Sequence, residues 1–487
     1  SAIGGVINII TRESDDPWNL NLNSRFSEHN DHRYGGTMGF NAGKFNSLTN
    51  VQYNNVDTYG VDNPGDFSTV FGSRVWNFKE RLIYHPLETL KLTARAGYYF
   101  RERNKPGDTQ DRYRDFNGGL KANYTFNTLS NLEVGYTFDQ YDKSDYQVLY
   151  KNDVRDYSNV QHNVHALYNY TFNEKHTLTV GADYLRDYLM SYQFTDNANY
   201  IMHTADAFGQ FDWNPTERLN VIAGLRFDYF SDSNVRHLSP HLGMMYKIGN
   251  CSLRGSYSQG FRSPTLKEMY MVFNMANMMM IYGNPDLKSE TSHNFSLSAE
   301  YTKNRYNFSV TGYYNLVHNR INTVYSDDPK GQIYTNTDKV GIAGVDANIS
   351  AKYPCGLGFR MSYTYIHEFM RDGQKKFTDT RPHTATVRVD WGENLDKVDF
   401  NYSLNGRILS EVKTNVYNDS FNNPAAGSTA VTYPGYMIWD LTFSVGVFKG
   451  VNMNLAINNL FNYVPDYYYF NSPTTTGANL TLGLSLD

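Results

Sequence analysis

KLTARAGYYFR, residues 91–101, puts Leu92, Ala94, Ala96, Tyr98 and Phe100 on one side of an extended chain and Lys91, Thr93, Arg95, Gly97, Tyr99 and Arg101 on the other. The same period of two recurs in both directions. Residues 119–126 set Leu120, Ala122, Tyr124 and Phe126 against Lys121, Asn123 and Thr125, and residues 219–229 alternate from Leu219 to Tyr229. Helical periodicity is almost absent. A soluble sandwich would also alternate, so the connections decide. Ten short turns alternate strictly with eleven longer polar loops, the latter including 28–33, 58–73, 102–115, 142–160, 188–202 and 261–290. These connections join twenty-two strands, short on one side and long on the other, which is the pattern of an all-β, antiparallel, 22-stranded transmembrane barrel of the outer membrane. Both termini are expected on the short-turn, periplasmic side. Phe100, Phe126, Phe138, Phe172, Trp213 and Trp391 lie near strand ends, where interfacial girdles form.

Composition agrees. Aromatic residues make up 15% and charged residues 19%, with a mean hydropathy of -0.57, because only alternate side chains need meet lipid. That aromatic load excludes a disordered chain. No run of eighteen apolar residues offers a membrane helix. A net charge of -5 speaks against nucleic acid as a partner. No nucleophile elbow, zinc-binding H-E-x-x-H, phosphate loop or C-x-x-C occurs, so no catalytic residue is assigned. The two cysteines, Cys251 and Cys355, fall at short turns four strands apart. At about 4.8 Å per strand their separation is roughly 19 Å, too far for a disulfide, and both are expected as free thiols.

Several stretches go beyond periodicity. SAIGGVINIITR (1–12) resembles the last plug strand of TonB-dependent outer-membrane receptors, and GLRFDYFSDSNVRHLSPHLGMMYKI (224–248) resembles their mid-barrel signature. GFRSPTLKEMY (260–270) with GNPDLKSETSHNFSL (283–297) resembles the paired boxes that flank a long extracellular loop. VTGYYNLVHNRI (310–321), TRPHTATV (380–387) and INNLFNYVPDYYYF (457–470) follow in the family's order. The chain is most similar to Bacteroidetes members of the haem, cobalamin and siderophore receptor branch. The resemblance implies residues 1–12 as the end of the plug domain, 13–487 as the barrel, and most of the plug lying outside this sequence. It also implies import of a scarce, bulky small molecule driven by TonB, with a tetrapyrrole (haem or cobalamin) as the first substrate class and a ferric siderophore as the alternative. A surface lipoprotein is a further partner it suggests; a passive pore or adhesin is the remaining reading. The final residue, Asp487, departs from the family's usual aromatic end.

Within loop 261–290, Met269, Met271, Phe273, Met275, Met278, Met279, Met280 and Tyr282 supply flexible, polarizable surface suited to a flat apolar ligand. The bland alternative is that the loop packs against its neighbours. No histidine lies between Arg262 and Pro285, so the haem ligand that related receptors carry there has no counterpart. His165 and His241 have lumen parity and could ligate haem or iron, although a lone histidine in a wet lumen is usually just solvated. Asp57, Asp62 and Asp66 offer hard oxygen ligands for Ca²⁺, against ordinary turn chemistry for Asp beside Gly and Pro. No resident cofactor is required. Mixed charges along the lumen face, Arg95, Lys121, Arg226, Arg254 and Arg407 against Glu133, Asp183, Asp206, Asp212 and Asp228, are expected to make an internally paired lining.

Overall fold

The computed structural model describes residues 13–61, 69–195, 198–231, 234–275, 279–337, 339–369, 380–395, 398–417, 427–448, 450–466 and 475–487. The expected plug strand 1–12 lies outside them. Eleven strands run through the first half: β1 (Trp18–Ser27), β2 (Asp31–Ala42), β3 (Phe45–Val56), β4 (Ser73–Leu87), β5 (Leu90–Asn104), β6 (Thr109–Asn127), β7 (Ser130–Gln147), β8 (Asn152–Phe172), β9 (His176–Ser191), β10 (Asn199–Trp213) and β11 (Leu219–Phe230). Eleven more follow: β12 (Val235–Ile248), β13 (Cys251–Arg262), β14 (Glu290–Lys303), β15 (Tyr306–His318), β16 (Val340–Lys352), β17 (Leu357–Phe369), β18 (His383–Leu395), β19 (Val398–Leu409), β20 (Tyr436–Phe448), β21 (Val451–Asn458) and β22 (Asn479–Leu486). They form one 22-stranded antiparallel sheet. It closes where Leu22 to Ser27 of β1 pair with Leu486 to Thr481 of β22, so no edge is left open.

The alternation seen in 91–101 is the wall itself. Leu92 on β5, Leu120 and Phe126 on β6 and Val134 on β7 point outward with no protein over them; Leu120 is 64% exposed, which only a lipid environment tolerates in such numbers. Phe126, Phe172, Trp213 and Trp391 stand outward at the turn-side ends, as a girdle requires. On the lumen side Lys121 meets Glu133 at 3.0 Å, and Arg226 meets Asp206 and Asp228, each at 2.8 Å. The lining is internally paired there.

The loop side differs from expectation in two places. The polar runs near 102–115 and 142–160 are largely strand: β6, β7 and β8 extend over 19, 18 and 21 residues, twice what a bilayer needs. Only residues 105–108 and 148–151 turn the chain. Elsewhere the loops fold into structure of their own. Among the described residues a single helical turn, α1 (Leu266–Tyr270), breaks the all-strand pattern; Thr265 caps it and Glu268 reaches back to the cap in a capping box. Val272–Met275 pairs with Met279–Tyr282, and the latter runs parallel to Lys330–Thr337, itself paired with Arg320–Asp327.

Cys251 is half-buried, Cys355 is exposed, and both are free. Thiol labelling of the folded receptor in detergent without reductant should modify Cys355 fast and Cys251 slowly. A bridged peptide in a non-reducing digest would contradict the strand order.

Candidate functional site

The base of loop 263–289 is held by charge. Arg262, the last residue of β13, donates Nη2 and Nε to Glu290 at 2.7 and 3.0 Å and Nη1 to Glu268 at 3.0 and 2.9 Å. Glu290, first residue of β14, also accepts the Ile321 amide at 2.7 Å. One guanidinium thus joins two strand ends, α1 and the 320–337 hairpin. The GNPDLK stretch docks on that hairpin: Asn284 donates to the Tyr334 carbonyl at 3.1 Å, and Asn336 donates to the Lys288 carbonyl at 2.8 Å. These contacts are the physical content of the paired boxes in the sequence.

The clamp lays α1 on the inner wall. Leu266 and Met269, each 2% exposed, pack with Leu189 and Phe194, and Tyr270 stacks on Tyr200 with centroids 4.1 Å apart. Burying two such side chains contributes about 3–6 kcal/mol. Met271 is buried as well. Phe273 is half-buried edge-on to Tyr192 at 5.8 Å, and Met279, Met280 and Tyr282 are half-buried in the small sheet. Met275 is partly exposed at its edge, and Met278 lies outside the described residues. Met269 and Met271 therefore spend their apolar surface on packing.

Gly283 shows how close that packing is. A Cβ there would sit 2.5 Å from the Met271 nitrogen and 2.6 Å from the Met269 carbonyl oxygen, both backbone and unable to yield. Gly283→Val should leave the barrel heat-resistant on gels while limited proteolysis within 263–289 accelerates on the order of ten-fold.

A second group of side chains shares the inner face of the tall strands. In register across β5, β6, β7 and β8 stand Arg101, Tyr113, Lys143 and Tyr157. The Arg101 guanidinium lies 5.8 Å from the Tyr113 ring, Tyr113 and Tyr141 are 6.4 Å apart, and Tyr141 and Tyr157 are 6.0 Å apart. Lys267 of α1 completes the row, its ammonium 4.8 Å over Tyr157. Lys143 is neutralised by Asp156 at 3.4 Å and Asp111 at 3.7 Å. Among the described residues, Arg101 and Lys267 have no carboxylate partner, and Arg101 Nε has no hydrogen bond. Burial holds the Lys267 ammonium below the usual lysine range. Two cations without a carboxylate partner among the described residues thus stand against a wall of tyrosines.

The row escaped the sequence because 102–115 and 142–160 read as loops; the parity of Tyr113, Lys143 and Tyr157 was the available signal. His165 lies over Gly135 with Nε2 3.3 Å from Glu133, deep among paired lining charges. His241 is exposed on the lumen face of β12, in register with Ser258. Asp57 is exposed and accepts from Asn30 at 3.0 Å, while Asp62 and Asp66 lie outside the described residues. Among the described residues no three acidic, histidine or cysteine side chains cluster as a metal site.

A family model described as TonB dependent receptor-like, beta-barrel matches residues 84–460. The chain belongs to that family. The receptor is accordingly an outer-membrane protein. It is 23% identical over 532 residues to the iron-regulated outer membrane virulence protein of Vibrio cholerae serotype O1, covering 100% of this chain and 76% of the relative. It is 24% identical over 309 residues to the hemoglobin-haptoglobin utilization protein B of Neisseria meningitidis, covering 53% of this chain and 38% of that one. The siderophore receptor PirA from Acinetobacter baumannii superposes with a TM-score of 0.81 at 16% identity, over 99% of this chain and 82% of that chain. The copper transporter OprC superposes at 0.76 and 13% identity, over 96% and 80%. At such identity these structures share the fold alone, and the receptor's cargo rests on its own side chains.

Proposed function

We propose that the receptor binds and imports an anionic, aromatic iron chelate, a ferric catecholate siderophore in the first place, with TonB supplying the energy. The observation that carries this is the row Arg101–Tyr113–Lys143–Tyr157 with Lys267 above it: a tris-catecholate complex is polyanionic and presents flat aryl faces, which cations and tyrosines contact together. The relatives named for iron regulation and haemoglobin use support an iron cargo. Haem is the second reading, favoured by the haemoglobin-haptoglobin relative and by its two anionic propionates. Cobalamin falls behind both, because it brings little negative charge to the row. Residues 1–12 are retained as the end of a plug, 13–487 as the barrel, and calcium at Asp57, Asp62 and Asp66 as an auxiliary ligand site.

The test is equilibrium binding to the purified receptor in detergent. A ferric tris-catecholate should bind with a Kd of about 1 μM or tighter, haemin more weakly, and cyanocobalamin not measurably. Binding of cyanocobalamin, with none of the ferric catecholate, would reverse the assignment.

A further inference from the structure

The lipid-facing surface carries a feature unrelated to cargo. On β8, β9 and β10, His162, Arg186 and His203 stand in one register row: His162 opposes Arg186, and Arg186 opposes His203. All three point outward, since Val164, Tyr184 and Ile201, two residues away on the same strands, are exposed on the outer face. Tyr136 bonds His162 Nδ1 at 2.9 Å, and Tyr184 bonds His203 Nδ1 at 2.7 Å. A neutral imidazole that accepts a tyrosine proton at Nδ1 carries its own proton on Nε2 and can offer that N–H as a donor. Arg186 is half-buried and, among the described residues, makes no hydrogen bond or ion pair.

The height of the row identifies what it meets. Phe172 and Trp213 mark the turn-side girdle. Climbing from Phe172 to His162, or from Trp213 to His203, at about 3.3 Å per residue along strands tilted 35–45° covers roughly 25 Å. That is the full height of the apolar band, so the row lies at the outer-leaflet headgroups. Beneath it come Val164, Tyr184 and Ala205, and one row further down Ala166, Ala182 and Ala207 stand in register, all exposed. Three small side chains leave a shallow trough in a wall otherwise studded with aromatic residues.

We propose that His162, Arg186 and His203 bind the phosphate of a phosphorylated outer-leaflet glycolipid, whose acyl chain lies in the trough over Ala166, Ala182 and Ala207. At the headgroup level a half-buried arginine with no partner among the described residues is matched by a phosphate, which satisfies its fork together with two imidazole donors. The same Tyr–His pairing recurs at Tyr257–His293, 3.0 Å, and Tyr363–His383, 2.7 Å. There the register neighbours of His293 are Gln259 and Leu316, and that of His383 is Tyr365, none of them charged. Those pairs serve as girdle residues, and Arg186 makes the difference between a girdle and a site.

Native mass spectrometry of the detergent-purified receptor with diphosphoryl lipid A tests this. The receptor should retain lipid A and should not retain the same lipid after phosphate removal. Arg186→Gln should cut retention about ten-fold, and adding His162→Gln and His203→Gln should abolish it. Arg186→Lys should recover part of the loss, and His293→Gln should change nothing. Heat-modifiable gel mobility verifies that every variant is a folded barrel. Equal retention of the dephosphorylated lipid, an unchanged Arg186→Gln variant, or displacement by millimolar inorganic phosphate would overturn the site.

Discussion

Arg262→Ala should release the whole 263–289 segment from the barrel rim while leaving the barrel intact. The substitution strands Glu290, whose side chain is only 8% exposed, and Glu268 at 15%, beside one another without their shared cation. Removing one member of a buried pair typically costs about 3–5 kcal/mol; with Arg262 itself 35% exposed, roughly 2–3 kcal/mol is the expected local loss. That is comparable to the packing of α1 on Leu189 and Phe194, so the helix and the 272–282 hairpin should detach together. The ladder bonds of β13 and β14 continue below Arg262 and keep the wall closed. The checks are rapid proteolysis within 263–289, unchanged heat-modifiable mobility, and ligand affinity reduced on the order of 30-fold. A fully protected loop in the variant would show that the clamp is dispensable.

The double change Arg101→Gln with Lys267→Gln should weaken binding of a ferric tris-catecholate about 100-fold or more, taking about 1.5–3 kcal/mol for each lost charged contact. An uncharged probe should be unaffected. The pH dependence carries a sign. Burial lowers the Lys267 pKa, so the ammonium is charged below that lowered value and is lost as pH rises through it. Affinity for the anion should hold near neutrality and fade on the alkaline side earlier than an ordinary lysine would dictate. Lys267→Arg keeps its charge throughout and should carry binding to higher pH. Identical alkaline profiles for the wild type and Lys267→Arg would remove Lys267 from the site.

The contrast between what residues 91–101 announced and what 102–115 concealed has one physical cause. Inside the bilayer one face meets lipid and the other water, so Leu92, Ala94 and Tyr98 separate cleanly from Lys91, Thr93 and Arg95. Above it both faces are wet. Arg112 and Arg114 then face outward to Asp153 while Tyr113 faces inward, and the hydropathic alternation vanishes although the hydrogen-bonded ladder continues. Strand number survived because tight turns keep their signals. Strand length did not. The methionines posed a different difficulty: an apolar ligand and a neighbouring strand ask the same chemistry of Met269, and only the position of α1 separates them. Lys267, two residues earlier in the same motif, turned out to face the tyrosine row.

The tall β5–β8 strands have a consequence for kinetics. Their paired ladder, bulged once between Arg155 and Tyr157, holds Arg101, Tyr113, Lys143 and Tyr157 in register before any cargo arrives. A ligand meeting that surface loses little free energy to ordering side chains or backbone. Substitutions in the row should then alter the residence time of the complex far more than its rate of formation, and a cell scavenging a dilute nutrient gains most from a slow escape.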